Sequence, residues 1–430
     1  MKDIEKLYTA YLAHPHVQTD TRKIAEGEIF FALKGPNFNG NNFVKQALDA
    51  GASLVVIDEG ESLNDPRIFK TENTLLALQE LALHHRKQLH IPFIAITGSN
   101  GKTTTKELIH AVLSAQFRTS TTKGNLNNHI GVPLTILDIR TDAEIAVIEM
   151  GANHRTEIAS YCRYALPTHG IITNCGKAHL EGFGGTEGVR QGKGELYDHL
   201  RPTGGTAFVM TDYDYLKEMS KGLHHVVSYG TRDAQVTGMV AQSSPFLEVQ
   251  MTGGTMLNRI PTLLVGDYNL PNVLVAVAVG EYFGVPSEKI QEAIINYVPS
   301  NSRSQLVHRG SNRIILDAYN ANPSSMRAAI ENFARQHDES KIIVIGAMAE
   351  LGLESVHEHR EIVELIRKYN WKDVILVGGD FSKVDHPYRY FSDATLAKDW
   401  IKEQNLLEAV ILIKGSRSMR MEMVMEAFDE

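Results

Sequence analysis

Short apolar runs alternating with amphipathic stretches define this chain from its first residues. Glu28–Leu33 (EIFFAL) and Ser53–Asp58 (SLVVID) are strand-length apolar runs, whereas Phe43–Ala52 (FVKQALDAGA) and Thr74–His90 (TLLALQELALHHRKQLH) repeat apolar residues at helical spacing. They predict a small α/β domain over residues 1–88, closed by the break at Pro92. From Phe93 the runs FIAIT, IAVIEM, GIITN and TAFVM alternate with helical patterns, which predicts a mostly parallel sheet covered on both faces. Between His224 and Val265 the runs shorten to HHVVSYG, FLEVQM and TLLVG, suggesting an antiparallel flank, and the apolar helix Asn269–Gly284 closes a domain spanning 89–300. In residues 301–430, RIILD, KIIVIG, DVILVG and AVILIKG are evenly spaced strand signals, predicting an open Rossmann-like sheet. That sheet lacks the Gly-x-Gly-x-x-Gly pattern, which disfavours a dinucleotide. The expected fold is therefore α/β in three domains.

Composition narrows the partners. A chain of 430 residues exceeds one ordinary core, and 43% hydrophobic content can fill several. A net charge of -8, with no block of like charges, argues against nucleic acid. The N-terminus has no apolar signal core, and no stretch reaches the roughly 18 apolar residues of a membrane span, so membrane insertion is not expected and a cytoplasmic protein is. Cys162 and Cys175 alone are too few for a disulfide framework or a four-cysteine zinc site.

The sharpest chemical signal is Ile94–Glu107, IAITGSNGKTTTKE, where a strand runs into a glycine turn and then a helix. Gly98, Ser99, Asn100 and Gly101 offer backbone N–H groups to phosphate oxygens, Lys102 a cation, and Thr103 a hydroxyl for Mg²⁺, with Thr104 beside it. The usual pattern Gly-x-x-x-x-Gly-Lys is shortened, since Ile96 stands where the first glycine belongs. Glu149 ends the strand IAVIEM, at the mouth of the sheet where a magnesium carboxylate belongs; an exposed strand-end glutamate is the plain alternative. His179 lies in a glycine-rich loop and Lys193 in the helix after it, and by themselves these read as a solvated histidine and a surface lysine rather than as ligands. Asn125, Asn127 and Asn128 pack uncharged donors and acceptors into one loop, or are simple turn residues. Asn322, before Pro323, is a candidate helix cap, and Arg303, Lys414, Arg417 and Arg420 are cations that could meet phosphate or carboxylate. The methionines from Met419 to Met425 read as packing.

Taken in order, these pieces resemble the Mur ligases of peptidoglycan synthesis, over the whole chain. TDTR (19–22) with GEIFFALKGPNFNG (27–40), then TGSNGKTTTKE, GNLNNHIGVPLT, IEMGANHRTEIA, GDYNLPNV, DAYNANPSSM, Glu350-Leu351-Gly352 and IKGSRSM follow the family's order, and GNLNN and YNANP point to its dipeptide-adding branch. The resemblance implies ATP-driven amide bond formation between UDP-MurNAc-tripeptide and D-Ala-D-Ala through an acyl phosphate, by a monomer with two Mg²⁺ ions. It also implies roles by position. Lys102, Thr103 and Glu149 would serve phosphate and the first metal, and His179 and a Lys193 carbamylated by CO₂ the second. Asn269 and Asn272 would lie on the adenine side, and Arg303 and Asp317 at the γ-phosphate and ribose. Thr21, Arg22 and Lys34 would lie near the uridine diphosphate, Asn125, Asn127 and Asn128 near the muramoyl tripeptide, and Asn320 and Asn322 near the dipeptide.

Two departures stand out. The family's Gly-Asp-Met is Gly346-Ala347-Met348 here, and a family histidine gives way to Asn41-Asn42. Two other readings remain open: a folylpolyglutamate synthase-like ligase, which shares the ATP core but should lack residues 1–88, and an ATP-gated binding protein without ligase activity.

Overall fold

The structure, a computed structural model, describes residues 2–60, 64–300, 302–338 and 340–429. Residue 301, where the third domain was expected to begin, lies outside them. Three sheets organise the chain, each wrapped by the helices its amphipathic stretches predict.

The first sheet is all parallel and runs Val17–Gln18, Ile29–Phe31, Leu54–Ile57, Ile68–Lys70. The helix Thr74–Gln88 starts on Asn73, whose side chain accepts from Leu76 N, and ends on His85, Arg86 and Lys87, a charge bias that suits the helix dipole. Arg86 fastens this unit to the next. Its guanidinium donates to the carbonyls of Ala165, Leu166 and Leu89 and lies 3.7 Å over the Phe93 ring, and burial pushes its pKa down to about 10. Tyr11 adds a bond to Leu137 O at 2.5 Å.

The second sheet has nine strands. Phe93–Thr97 is the third strand from one edge, flanked by Ile145–Glu149 on one side and His169–Ile172 on the other, all parallel. The chain runs from it to the edge strand Thr119–Thr121 and back to Ile145–Glu149, then crosses to His169–Ile172 on its far side, so a crevice opens at its carboxyl end. The strands there are buried on both faces, as their unbroken apolar sequence requires. The flank differs from expectation in detail. His225–Gly230 pairs parallel with Thr206–Met210, and antiparallel pairing starts only where Val236–Gln242 meets Glu248–Gly253. TLLVG is not a strand either; the edge strand is Arg259–Pro261, and the Thr262 hydroxyl bonds Leu247 O as the chain leaves the sheet. The helix Leu270–Tyr282 is buried almost all round, which its lack of polar residues foretells.

The third sheet runs Gln305–Arg309, Asn312–Asp317, Val410–Lys414, Lys341–Gly346, Asp373–Val377, Arg389–Phe391, parallel except for the first pair. One continuous apolar core reaches from the first unit through the second into this one. Met419, Met421, Met423 and Met425 sit in 3-10 turns rather than an α-helix, and they pack against the core as expected. Ala347 is buried with its Cβ facing Gly379, where an added Cβ would lie only 2.4 Å from it.

Candidate active site

The crevice at the end of Phe93–Thr97 is a cavity of about 920 Å³ shared by the second and third units. Its floor is the glycine turn. Gly98 has φ +142° and a Cβ there would meet Thr173 Oγ1 at 2.0 Å; Gly101 has φ +80° and caps the helix Lys102–Ser114. Only glycine fits either position without displacing a neighbour. The turn is tied to the next strand end: Ser99 N bonds Asn174 O, Asn100 N bonds Asn174 Oδ1, and the Ser99 hydroxyl donates to Gly176 O. The helix N-terminus behind it presents free N–H groups to an anion.

Lys102 folds back, its Nζ donating to Gly98 O at 2.7 Å and Ser99 O at 3.2 Å, and burial lowers its pKa. Beside it the Thr103 hydroxyl donates to Glu149 Oε2 at 2.9 Å, and Asn127 Nδ2 donates to Glu149 Oε1 at 2.8 Å. Glu149 is 1% exposed, so this carboxylate is fully oriented. A buried hydroxyl and carboxylate facing a cavity are the hard oxygen donors that Mg²⁺ takes along with phosphate oxygens. Among the described residues, no group of three or more His, Cys, Asp or Glu side chains converges as a metal cluster. A metal here would therefore draw part of its shell from ligand or water.

Asn269 and Asn272, expected on the adenine side, form a chain: Thr105 Oγ1 donates to Asn272 Oδ1, Asn272 Nδ2 to Asn269 Oδ1, and Asn269 Nδ2 to Val265 O. Both line the cavity. Lys193 is 1% exposed, lies just behind the cavity wall, and donates to Ala152 O at 2.9 Å. Burial, with Lys102 adding to it, pushes its pKa down to about 7. His179 lines the cavity with its Nδ1 against the Glu350 carboxylate of the third unit, a contact that lowers the pKa of Glu350.

The third unit supplies the roof. Arg303 stacks 3.6 Å over Tyr319 and its buried Nε has no hydrogen-bond partner. Asp317 pairs with Lys414 at 2.7 Å, and Lys414 is 1% exposed. Asn322 is indeed a helix cap: its Oδ1 accepts from Ser325 N in a reciprocal capping box. Its Nδ2 also reaches Asn100 in the phosphate turn. Asn320 lines the cavity and accepts from Lys414 through its carbonyl.

Of the expected site residues, Ser99 to Thr104, Asn127, Asn128, Glu149, His179, Asn269, Asn272, Arg303, Asp317, Asn320 and Asn322 share this cavity. Asn128 Oδ1 also accepts from Ile130 N at 3.1 Å and Gly131 N at 2.8 Å in the turn that leads into the helix Gly131–Leu137. Asn125 is exposed nearby and does not line it. Thr21, Arg22 and Lys34 lie on the first unit, with Arg22 paired to Asp20 and Lys34 to Asp58 and Glu59. Asn41 bonds Asn39 and Asp58 in that same cluster. Sequence reasoning gave no role to Tyr319 or Glu350 and no partner to Lys414. All three stood in quoted motifs, which named the segments without saying which side chains would meet.

Comparison with known proteins agrees with this geometry. The Mur ligase family catalytic domain matches residues 15–96, the Mur ligase middle domain 96–280, and the Mur ligase glutamate ligase domain 302–417. The UDP-N-acetylmuramoyl-tripeptide--D-alanyl-D-alanine ligase of Bacillus subtilis is 34% identical, over 99% of this chain and 97% of that protein. The ligase of the same name from Escherichia coli is 35% identical, over 96% and 93%. The MurF ligase of Thermotoga maritima, solved in complex with ADP, superposes with a TM-score of 0.87 at 26% identity and 97% coverage of each chain. With three of its domain models matched in order along the sequence and relatives of this identity over nearly its whole length, the chain belongs to the Mur ligase family.

Proposed function

We propose that this protein is an ATP-dependent, ADP-forming ligase that joins D-Ala-D-Ala to UDP-MurNAc-tripeptide, giving the UDP-MurNAc-pentapeptide of peptidoglycan synthesis. The observation that carries the reading is the shared cavity, in which the second unit's phosphate turn, Thr103 and Glu149 face the third unit's Arg303 and Lys414. A phosphoryl donor held by one unit and cations brought by another suit phosphoryl transfer, where catalysis rests on positioning and charge rather than on a protein nucleophile.

In this reading residues 1–88 hold the UDP part of the substrate, with Thr21, Arg22 and Lys34 towards the diphosphate. Residues 89–300 hold ATP, and 301–430 complete the ligase site. The tripeptide carboxylate attacks the γ-phosphorus, the bond to the β-phosphate oxygen breaks, and ADP leaves an acyl phosphate. The neutral amine of D-Ala-D-Ala then attacks the acyl carbon, its proton is lost, and inorganic phosphate departs. Lys102 turns from its carbonyl partners to the phosphates. Arg303, whose buried Nε has no hydrogen-bond partner among the described residues, meets the transferring group. Asn269 and Asn272 stand on the adenine side, Asp317 at the ribose, Asn125, Asn127 and Asn128 by the tripeptide, and Asn320 and Asn322 by the dipeptide.

Mg²⁺ fits Thr103 and Glu149, where it would offset phosphate charge. A second ion would use His179 and Lys193, the latter as its carbamate. The lowered pKa of Lys193 supports that part, because CO₂ combines with the neutral amine. Among the described residues no helix is long and apolar enough to cross a membrane. We assign the protein to the cytoplasm, as a monomer.

Phosphate release with ATP, Mg²⁺ and UDP-MurNAc-tripeptide, with and without D-Ala-D-Ala, tests the proposal. Release that requires the dipeptide and yields the pentapeptide is the expected result. Turnover with folate and glutamate instead, or ATP binding without turnover, would overturn it.

A further inference from the structure

The Glu350-Leu351-Gly352 segment has no part in the scheme so far, yet it meets the site at one place. Lys177–Glu181 of the second unit is bracketed by the third. Ser324 Oγ accepts from Lys177 N at 2.9 Å, Lys177 Nζ pairs with Glu358 at 2.5 Å, and the Glu350 carboxylate meets His179 Nδ1. A Cβ on Gly352 would come within 3.1 Å of Glu181 Cβ, so the two backbones are closely seated. His179 and Glu350 both have left-handed backbone, φ +51° and φ +60°. Non-glycine residues adopt it only where their surroundings hold them, and these two point at each other across the interface.

We infer that Glu350 is a positioning residue that fixes the His179 imidazole when the third unit seats on the second. His179 Nδ1 meets this carboxylate as an ion pair rather than as an aligned hydrogen bond. A carboxylate draws the proton to the ring nitrogen it faces, which leaves Nε2 the lone pair that a metal takes. Carboxylates behind metal-binding histidines commonly set the ring and tautomer in this way. Here the carboxylate comes from another unit. The histidine is therefore oriented only in the closed arrangement, which couples closure to completion of the metal site. Lys177–Glu358 holds the same interface without touching His179, and so separates closure from orientation.

This rests on the ligase reading and on His179 serving the metal. The full-length protein and its Glu350→Ala, Glu350→Gln and Glu358→Gln variants are compared in three ways: dipeptide-dependent turnover, Mn²⁺ affinity by electron paramagnetic resonance with ADP present, and compaction in X-ray scattering with a non-hydrolysable ATP analogue and UDP-MurNAc-tripeptide. Glu350→Ala is expected to lose about 10- to 100-fold in kcat and in Mn²⁺ affinity while compacting as the parent does. Glu350→Gln, whose amide oxygen still accepts, recovers most of both. Glu358→Gln weakens compaction and lowers Mn²⁺ affinity by less than Glu350→Ala does. Native kcat and Mn²⁺ affinity in Glu350→Ala would overturn the inference, as would equal losses of Mn²⁺ affinity in Glu350→Ala and Glu358→Gln. Absence of dipeptide-dependent turnover in the parent would instead overturn the ligase reading itself.

Discussion

Asn322 Nδ2 donates to Asn100 Oδ1 at 2.7 Å, joining the cap of a third-unit helix to the phosphate turn of the second unit. One side chain thus begins the helix Pro323–Ala334 with its oxygen and reaches the nucleotide loop with its nitrogen. The two jobs can be separated. Serine caps helices well but cannot span to Asn100, so Asn322→Ser should keep thermal stability within about 0.5 kcal/mol and lower kcat/KM about fivefold, the worth of one neutral hydrogen bond. Asn322→Ala should lose about 1 kcal/mol of stability as well. Thermal unfolding beside steady-state rates checks this; undiminished activity in Asn322→Ser would show that the bond to Asn100 is idle.

Asn127, expected to face the tripeptide, lines the cavity, and its Nδ2 bonds Glu149. If orienting that carboxylate is its main work, Asn127→Leu should raise the Mg²⁺ concentration for half-maximal turnover by about 10- to 100-fold. The KM for UDP-MurNAc-tripeptide should change little. A Mg²⁺ titration of turnover at saturating ATP, set against KM for the UDP-substrate, decides between the two, because a shift in KM alone would return Asn127 to the substrate.

Lys193 has its pKa pushed down to about 7, so its amine is largely neutral above that pH. Carbamylation should then be readily reversible. Protein stripped of CO₂ should lose activity and regain it on adding bicarbonate, faster at pH 8 than at pH 6. Lys193→Ala should be inactive with or without bicarbonate. Indifference of the parent to CO₂ would remove the carbamate from the site.

His169, in the central sheet, is buried against Phe208, Tyr282 and Phe283, and desolvation lowers its pKa to about 4. The unfolded chain takes up this proton near pH 6.5 and the folded one only near 4, so stability present above pH 6.5 is lost as pH falls through that window. A shift of this size corresponds to about 3 kcal/mol. Denaturant unfolding at pH 7 and pH 4.5 measures it. His169→Phe should be less acid-sensitive over the same interval, and an unchanged acid limb would exclude this histidine as its source.

Much of the site was legible because it is local in sequence. The phosphate turn needs a strand, two glycines, a lysine and a helix within one short segment, and each has a composition signal. The buried parallel strands announced themselves as unbroken apolar runs. The antiparallel flank was misplaced because alternation marks a half-exposed strand without naming its partner, and His225–Gly230 finds a parallel one. TLLVG failed for a related reason: an apolar run can as well fill a buried turn.

By itself the sequence determined the order of elements, the glycine turn and the chemical character of each candidate, since these depend on neighbours a few residues apart. The tertiary structure decided which candidates meet. Thr103 and Glu149, Arg303 and Tyr319, Asp317 and Lys414, and His179 and Glu350 are partners separated by long stretches of chain, brought together by sheet order and by the seating of the third unit. A lone histidine or lysine has the same local sequence whether solvated or buried. Burial, with Lys102 adding to it, gives Lys193 its lowered pKa, and a carboxylate from another unit meets His179.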